Sequence, residues 1–201
     1  SMMRLGSAWY DFLLNDTAAI RSIRRRLLKP YRQLIEMPDL EGKLASYDFV
    51  VGLNWRSGSV DGARASSYFN VHLADRIIRA LPKNVAFLVV QYSISREERV
   101  ALASYSNCFI PDADLFNNIV LNGKLCGRCD IVVAAPTMIV PLTGLFGVPV
   151  LTWSKVQSWV DLGTGRYPWF NNVHRIRCEN NADKEAIVTR IVDKLRIAIR
   201  Q

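Results

Sequence analysis

The residues best suited to meeting an anion stand where an apolar run stops. Phe49-Val50-Val51-Gly52-Leu53 leads into Asn54-Trp55-Arg56-Ser57-Gly58-Ser59, and Arg64 follows. Small residues let backbone N–H groups approach an oxyanion, and a guanidinium adds a fixed fork of donors. Arg56, Ser57, Gly58, Ser59 and Arg64 are therefore candidate phosphate contacts, with an ordinary surface loop as the alternative. The stretch is neither a Walker A sequence nor a G-x-G-x-x-G turn. A second candidate is Gln91-Tyr92, which follows the apolar run 85–90. A Gln can read a base edge and a Tyr can stack on a base or ribose; both can equally be plain residues at the end of a sheet. A third is Ala134-Ala135-Pro136-Thr137-Met138, where a helix is expected to begin. Thr137 fits an N-cap and equally fits a diphosphate site built on helix N–H groups, with Met138 beside it.

Other chemistries find little support. No G-x-S-x-G elbow exists, and no His, Cys and carboxylate cluster has metal-ligand spacing. His72 reads as a mid-helix structural residue, and His174 lies near an aromatic loop. That loop carries Lys155, Trp159, Asp161, Arg166, Tyr167, Trp169 and Phe170, a set that either packs the loop down or lines a pocket, with packing the better reading. Cys126 and Cys129 have C-x-x-C spacing, but they close a helix before a strand rather than open one after it. They read as structural thiols of a reducing compartment, which gives a cytoplasmic expectation.

The elements that must position these residues follow from periodicity. Five buried strands are expected, at 49–55, 85–90, 108–110, 131–134 and 148–153, with a sixth at 173–178. Helices are expected between them at 67–81, from the capping box Ser95-Arg96-Glu97-Glu98 onward, at 115–125 with Ile119 and Leu125 inward, and at 137–146 up to Gly147. The clearest helix is 183–200, where Ile187, Ile191, Leu195 and Ile199 recur every fourth residue. Strands that are apolar on both faces, alternating with helices, specify an α/β doubly wound and mostly parallel sheet. Residues 1–46 differ. A broken stripe of Trp9, Phe12, Leu13, Ile20, Ile23 and Leu27 reads as a helical arm, interrupted at Pro30 and ended at Pro38. This arm is expected to pack on the domain formed by residues 47–201 or on a second copy of the chain.

Half of the 201 residues are hydrophobic, enough for a sizeable core and against disorder. The net charge of +8 concentrates in Arg21, Arg24, Arg25, Arg26, Lys29 and Arg32, and again in Arg190, Lys194, Arg196 and Arg200. Solvated helix faces account for this pattern best, and an anionic partner surface is the alternative. Nucleic acid is not the expected partner. The apolar window 131–151 is broken by three prolines and two glycines, so no membrane span is expected. Ser1-Met2-Met3 reads as a cloning remnant ahead of a start codon, with no signal peptide after it, so a whole or deliberately trimmed chain is expected.

Several segments together resemble a family. They are Phe49 to Gly58, Gln91, Asp114-Leu115-Phe116, Asp130 to Thr137, Leu142 to Val150, Trp159 and Tyr167-Pro168-Trp169. In this order they are similar to the C-terminal half of bacterial GT-B glycosyltransferases, especially those fused to tetratricopeptide repeats and related to heptosyltransferases. The resemblance covers roughly residues 47 to 200. It implies a Rossmann-like half-domain that holds a nucleotide sugar against a second lobe. The loop at Arg56 to Ser59 and the Thr137 helix start would face the diphosphate, and Gln91 and Tyr92 would lie near the nucleoside. It places the general base in the other lobe, and the sequence itself requires no metal and no cofactor beyond the nucleotide-sugar donor. Where the family carries an Asp before the Thr and a His four residues after it, this chain has Pro136 and Pro141. Residues 1–46 are too short for a second lobe or a repeat array, so the isolated chain is expected to lack turnover. A non-enzymatic binding module of the same fold is the alternative.

Overall fold

The computed structural model describes residues 37–57, 69–154, 167, 169–177 and 184–200. Most of the expected arm, the stretch 58–68 with Gly58, Ser59 and Arg64, the loop residues 155–166, and Cys178 lie outside the described residues.

Six strands form one sheet: β1 Phe49–Asn54, β2 Val85–Val89, β3 Cys108–Phe109, β4 Ile131–Ala134, β5 Val150–Ser154 and β6 Val173–Arg177. Their order is β3-β2-β1-β4-β5-β6, and every neighbouring pair is parallel. The helices are α1 Pro38–Leu44, α2 His72–Ala80, α3 Arg96–Ala103, α4 Ile119–Gly127, α5 Ile139–Phe146 and α6 Lys184–Ile199. The chain order runs outward from β1 in one direction, then returns to β4 and runs outward in the other. This is the doubly wound Rossmann-like topology, with its switch point between β1 and β4.

Alternation along the strands builds two cores. Val51 and Leu53, Phe87 and Val89, and Ile131 and Val133 face α2 and α6, meeting Leu73, Ile77, Ile187, Ile191 and Leu195. Val50, Ala86, Leu88, Val132 and Ala134 face the other way, onto Leu44, Leu125, Cys126, Ile139 and Val140. Strands buried on both faces cannot alternate apolar with polar, and that is why they read as continuous apolar runs. Gly52 marks a close approach, because a Cβ there would lie 2.8 Å from Val132 Cγ2 and 2.9 Å from Cys129 Sγ.

The structure moves three expected features. Pro38, expected to end a helical piece, opens α1 instead; its missing N–H costs nothing in a first helical turn. The helix expected from Leu115 begins at Ile119, because the Asp114 carboxylate turns the chain by accepting the Phe116 and Asn117 amides, and Asn118 then caps α4 through the Leu121 amide. Ile119, expected inward, is consequently exposed. His72, expected mid-helix, is the first residue of α2, and its amide donates to Asn70 Oδ1. α5 ends as expected at Gly147, which takes the left-handed conformation at φ 78°.

The cysteines sit where the spacing placed them, one in the last turn of α4 and one just before β4, both buried. Burial pushes the Cys126 thiol up to about 12, and the thiol donates to Asn122 Oδ1 at 3.8 Å. Cys129 is likewise raised well above its ordinary value by burial, by Cys126 and by Asp130. Both thiols are protonated and inert at neutral pH. Peptide mapping after iodoacetamide treatment should find them unmodified in the native protein and fully modified in denaturant. Labelling of Cys126 or Cys129 under native conditions would contradict this packing.

Candidate functional site

In this topology ligands bind beyond the carboxyl ends of the strands, at the switch point. β1 and β4 lie side by side with Asn54 opposite Ala134, so the loops that follow them face one another. A buried polar chain fastens the edge. Thr137 Oγ1 donates to Asn54 Oδ1 at 3.3 Å, and Asn54 Nδ2 donates to Gln91 Oε1 at 3.1 Å. Gln91 Oε1 also accepts the Trp55 and Arg56 amides, each at 3.1 Å, while its Nε2 donates to Tyr92 O at 2.8 Å. Asn54 and Gln91 are each 1% exposed. One carboxamide on β2 therefore shapes the first residues of the β1 loop.

This places Gln91 differently from the sequence reading. Its oxygen takes three donors from within the fold, so it frames the edge, and it also forms part of the lining of the cleft beyond β2. Arg56 also departs from expectation. Its Nε donates to Glu98 Oε1 at 3.1 Å, and its Nη2 donates to Glu98 Oε2 at 2.7 Å and to Ser93 O at 2.6 Å. The guanidinium is drawn to α3 and the β2 loop, away from the Thr137 side. The fork geometry that suits phosphate suits a carboxylate equally well. Ser57 is buried next to it.

Glu98 is a hub that the sequence suggests only as half of a capping box. Besides Arg56 it accepts Trp55 Nε1 at 2.9 Å and the Ser95 amide at 2.9 Å, and Ser95 Oγ caps α3 through the Glu98 amide. Burial pushes the Glu98 carboxyl up, but the hydrogen bonds from Arg56, Ser95 and Trp55, with the Arg56 charge, outweigh it and hold the group below the usual glutamate range. The folded protein then binds fewer protons here than the unfolded chain. The stabilisation is present above the ordinary glutamate value of about 4.3 and is lost as pH falls through the depressed folded value. Urea midpoints measured from neutral to acid pH should fall in this window, and Glu98→Gln should flatten that part of the profile. Parallel profiles for the two proteins would refute the assignment.

The helix start at α5 is largely self-capped. Ile139 N donates to Thr137 Oγ1 at 3.2 Å, Val140 N to Thr137 O at 3.2 Å and Thr137 N to Ala135 O at 2.6 Å. Pro141 has no N–H to offer. Met138, the residue before α5, is 61% exposed.

Beyond β2 and β3 the same edge opens into a cleft of about 230 Å³, lined by residues that include Tyr92, Ser93, Arg99, Asp114 and Phe116. The Tyr92 and Phe116 rings meet at 5.8 Å between centroids, inclined by 56°. Tyr92 lies in this cleft, Arg99 joins it without any sequence signal, and Phe116 is marked in the sequence only within the family resemblance. The described part of the aromatic loop packs: Tyr167 stacks on Phe170 at 6.2 Å, and Phe170 covers Gly144. His174 is exposed on β6. Among the described residues no His, Cys, Asp and Glu cluster could hold a metal ion, and no helix is long and apolar enough to cross a membrane.

No family model matches the chain. Over 150 residues, 73% of its length, it is 28% identical to Protein FlbA of Caulobacter vibrioides, of which it spans 25%. Among solved structures, E. coli ADP-heptose LPS heptosyltransferase II aligns with a TM-score of 0.57 at 13% identity, covering 84% of this chain and 53% of that one. A Listeria monocytogenes protein described as a UDP-N-acetylglucosamine 2-epimerase aligns with a TM-score of 0.54 at 12% identity, covering 86% and 43%. E. coli heptosyltransferase WaaC with ADP aligns with a TM-score of 0.50 at 12% identity, covering 74% and 44%. The chain thus spans a quarter of the curated relative and about half of each structural neighbour, and its six-stranded parallel sheet is the Rossmann-like α/β fold found in GT-B glycosyltransferases.

Proposed function

We propose that this chain is the nucleotide-sugar-binding half of a GT-B glycosyltransferase whose active site is completed by a second lobe outside these residues. The observation that carries the reading is the carboxyl edge of the sheet, where Asn54 at the end of β1 is hydrogen-bonded to Thr137 beyond β4 and the Tyr92–Phe116 cleft opens beyond β2. The nucleoside stacks on Tyr92 and Phe116. The diphosphate lies toward Thr137, Met138 and the loop of Ser57, Gly58, Ser59 and Arg64. Arg56 borders that loop while engaged with Glu98. Transfer would rest on electrostatic stabilisation of the leaving diphosphate, with acceptor and general base supplied by the other lobe. Likeness to FlbA of Caulobacter vibrioides supports a bacterial setting, and likeness to the heptosyltransferase fold supports sugar transfer.

A second reading, a binding module without turnover, is favoured by one observation: Arg56 and the first amides of α5 already have partners within the protein. Donor affinity should accordingly be weak, about 0.1–1 mM or ~4–5.5 kcal/mol. A thermal-shift screen of nucleoside diphosphates and nucleotide sugars tests both readings. A ligand at about 100 times its dissociation constant should stabilise the fold by ~2.7 kcal/mol. Binding without turnover by this chain, and turnover once the full-length protein is used, is the expected pair of results. A flat screen would remove the donor-binding reading.

A further inference from the structure

Ser93 is the one described residue other than glycine with positive φ, at 55°. It is exposed, and it lies in the loop that carries Tyr92 into the cleft. A β-carbon in this region is strained, and such a conformation persists where its surroundings impose it. The surroundings here are explicit. Arg56 Nη2 holds the Ser93 carbonyl at 2.6 Å, and Glu98 holds both Arg56 and the Ser95 amide. Among the described residues the Glu98 carboxylate has four partners, all donors: Arg56 Nε, Arg56 Nη2, Trp55 Nε1 and Ser95 N. The pair is mostly buried, with side chains 14% and 13% exposed.

We propose that the Arg56–Glu98 pair is a positioning device that clamps the strained Ser93 turn and thereby sets Tyr92 against Phe116 to form the nucleoside wall. Neither residue touches the ligand in this role; both act through Ser93 and Ser95. The proposal rests on the nucleotide-binding reading for its ligand, but the clamp itself can be read without one.

Glu98→Gln is the incisive change, because its –NH₂ must point at either Arg56 and Ser95 or Arg56 and Trp55, donor against donor. Hydrogen–deuterium exchange over residues 91–95 should speed up by about tenfold while β4 and β5 keep their rates. Titration with ADP and UDP should show binding weakened by about tenfold, since a loosened wall must be ordered on binding. Adding Ser93→Gly to Glu98→Gln should restore both readouts toward the parent, because glycine adopts this turn without a clamp. A residue that served only overall stability would lower the melting temperature, leave affinity unchanged in the folded range and gain nothing from Ser93→Gly. Unchanged exchange at 91–95, a loosened loop with unchanged affinity, or no rescue would each overturn the proposal. If the parent binds neither nucleotide, the donor-binding reading falls, and exchange and its rescue alone decide whether the clamp exists.

Discussion

Gln91→Leu is expected to lower the unfolding free energy by about 3–5 kcal/mol. Leucine fills much of the same space but leaves Asn54 Nδ2, Trp55 N and Arg56 N without the oxygen they share. Each orphaned donor in a buried setting costs about 1–3 kcal/mol, and the three costs overlap because one shift of the loop relieves several. Gln91→Glu separates the parts. It keeps an acceptor for the three donors but loses the bond to Tyr92 O and adds a buried charge. Urea unfolding of both variants is the measurement. A loss below about 1 kcal/mol for Gln91→Leu would mean that water substitutes for the carboxamide and that the edge is not braced through this residue.

Arg56→Ala should cost about 2–4 kcal/mol of stability, somewhat less than the ~3–5 kcal/mol for breaking a fully buried pair, because both side chains keep some exposure. From the sequence alone the same substitution would be expected to abolish anion binding and leave the fold intact. The structure reverses that order of effects, since Glu98 keeps only Trp55 and Ser95 once Arg56 is gone. A double-mutant cycle with Glu98→Ala isolates the pair, and a coupling of about 0.5–3 kcal/mol is expected because each single change strands the other group. Additive losses would show that the two side chains act independently.

These two residues also mark where the sequence stops being informative. The sheet is legible because parallel strands buried on both faces leave unbroken apolar runs, and Phe49–Asn54, Val85–Val89 and Ile131–Ala134 lie within the stretches expected to be strands. A doubly wound sheet sets its first and fourth strands side by side, so the facing of the β1 loop and the Thr137 helix start follows from the fold class, while the Asn54–Thr137 bond itself does not. Boundaries ruled by side-chain turns are not legible: hydrophobic spacing is blind to the Asp114 carboxylate that delays α4 to Ile119. The partners of Gln91 and Arg56 were hidden for another reason. Oxygen and guanidinium chemistry says what kind of group each will take, and a loop partner 35 or 42 residues away is fixed only once β1 and β2 are side by side. A phosphate and the Glu98 carboxylate on α3 present the same geometry to Arg56, and the carboxylate leaves no periodic signal in the sequence.

The central pairing of β1 with β4 has a consequence during synthesis. Val50 N reaches Asp130 Oδ2 across 80 residues of chain. At ~5–20 residues per second of translation, β1 waits roughly 4–16 s with one edge open, long after β2 has covered the other. That edge is five apolar or small residues followed by Asn54, with no lysine or proline to discourage pairing with a neighbouring chain. Crowded expression should therefore trap the nascent protein at this edge, and slower initiation or a holding chaperone should raise the soluble yield without altering the stability of the finished fold.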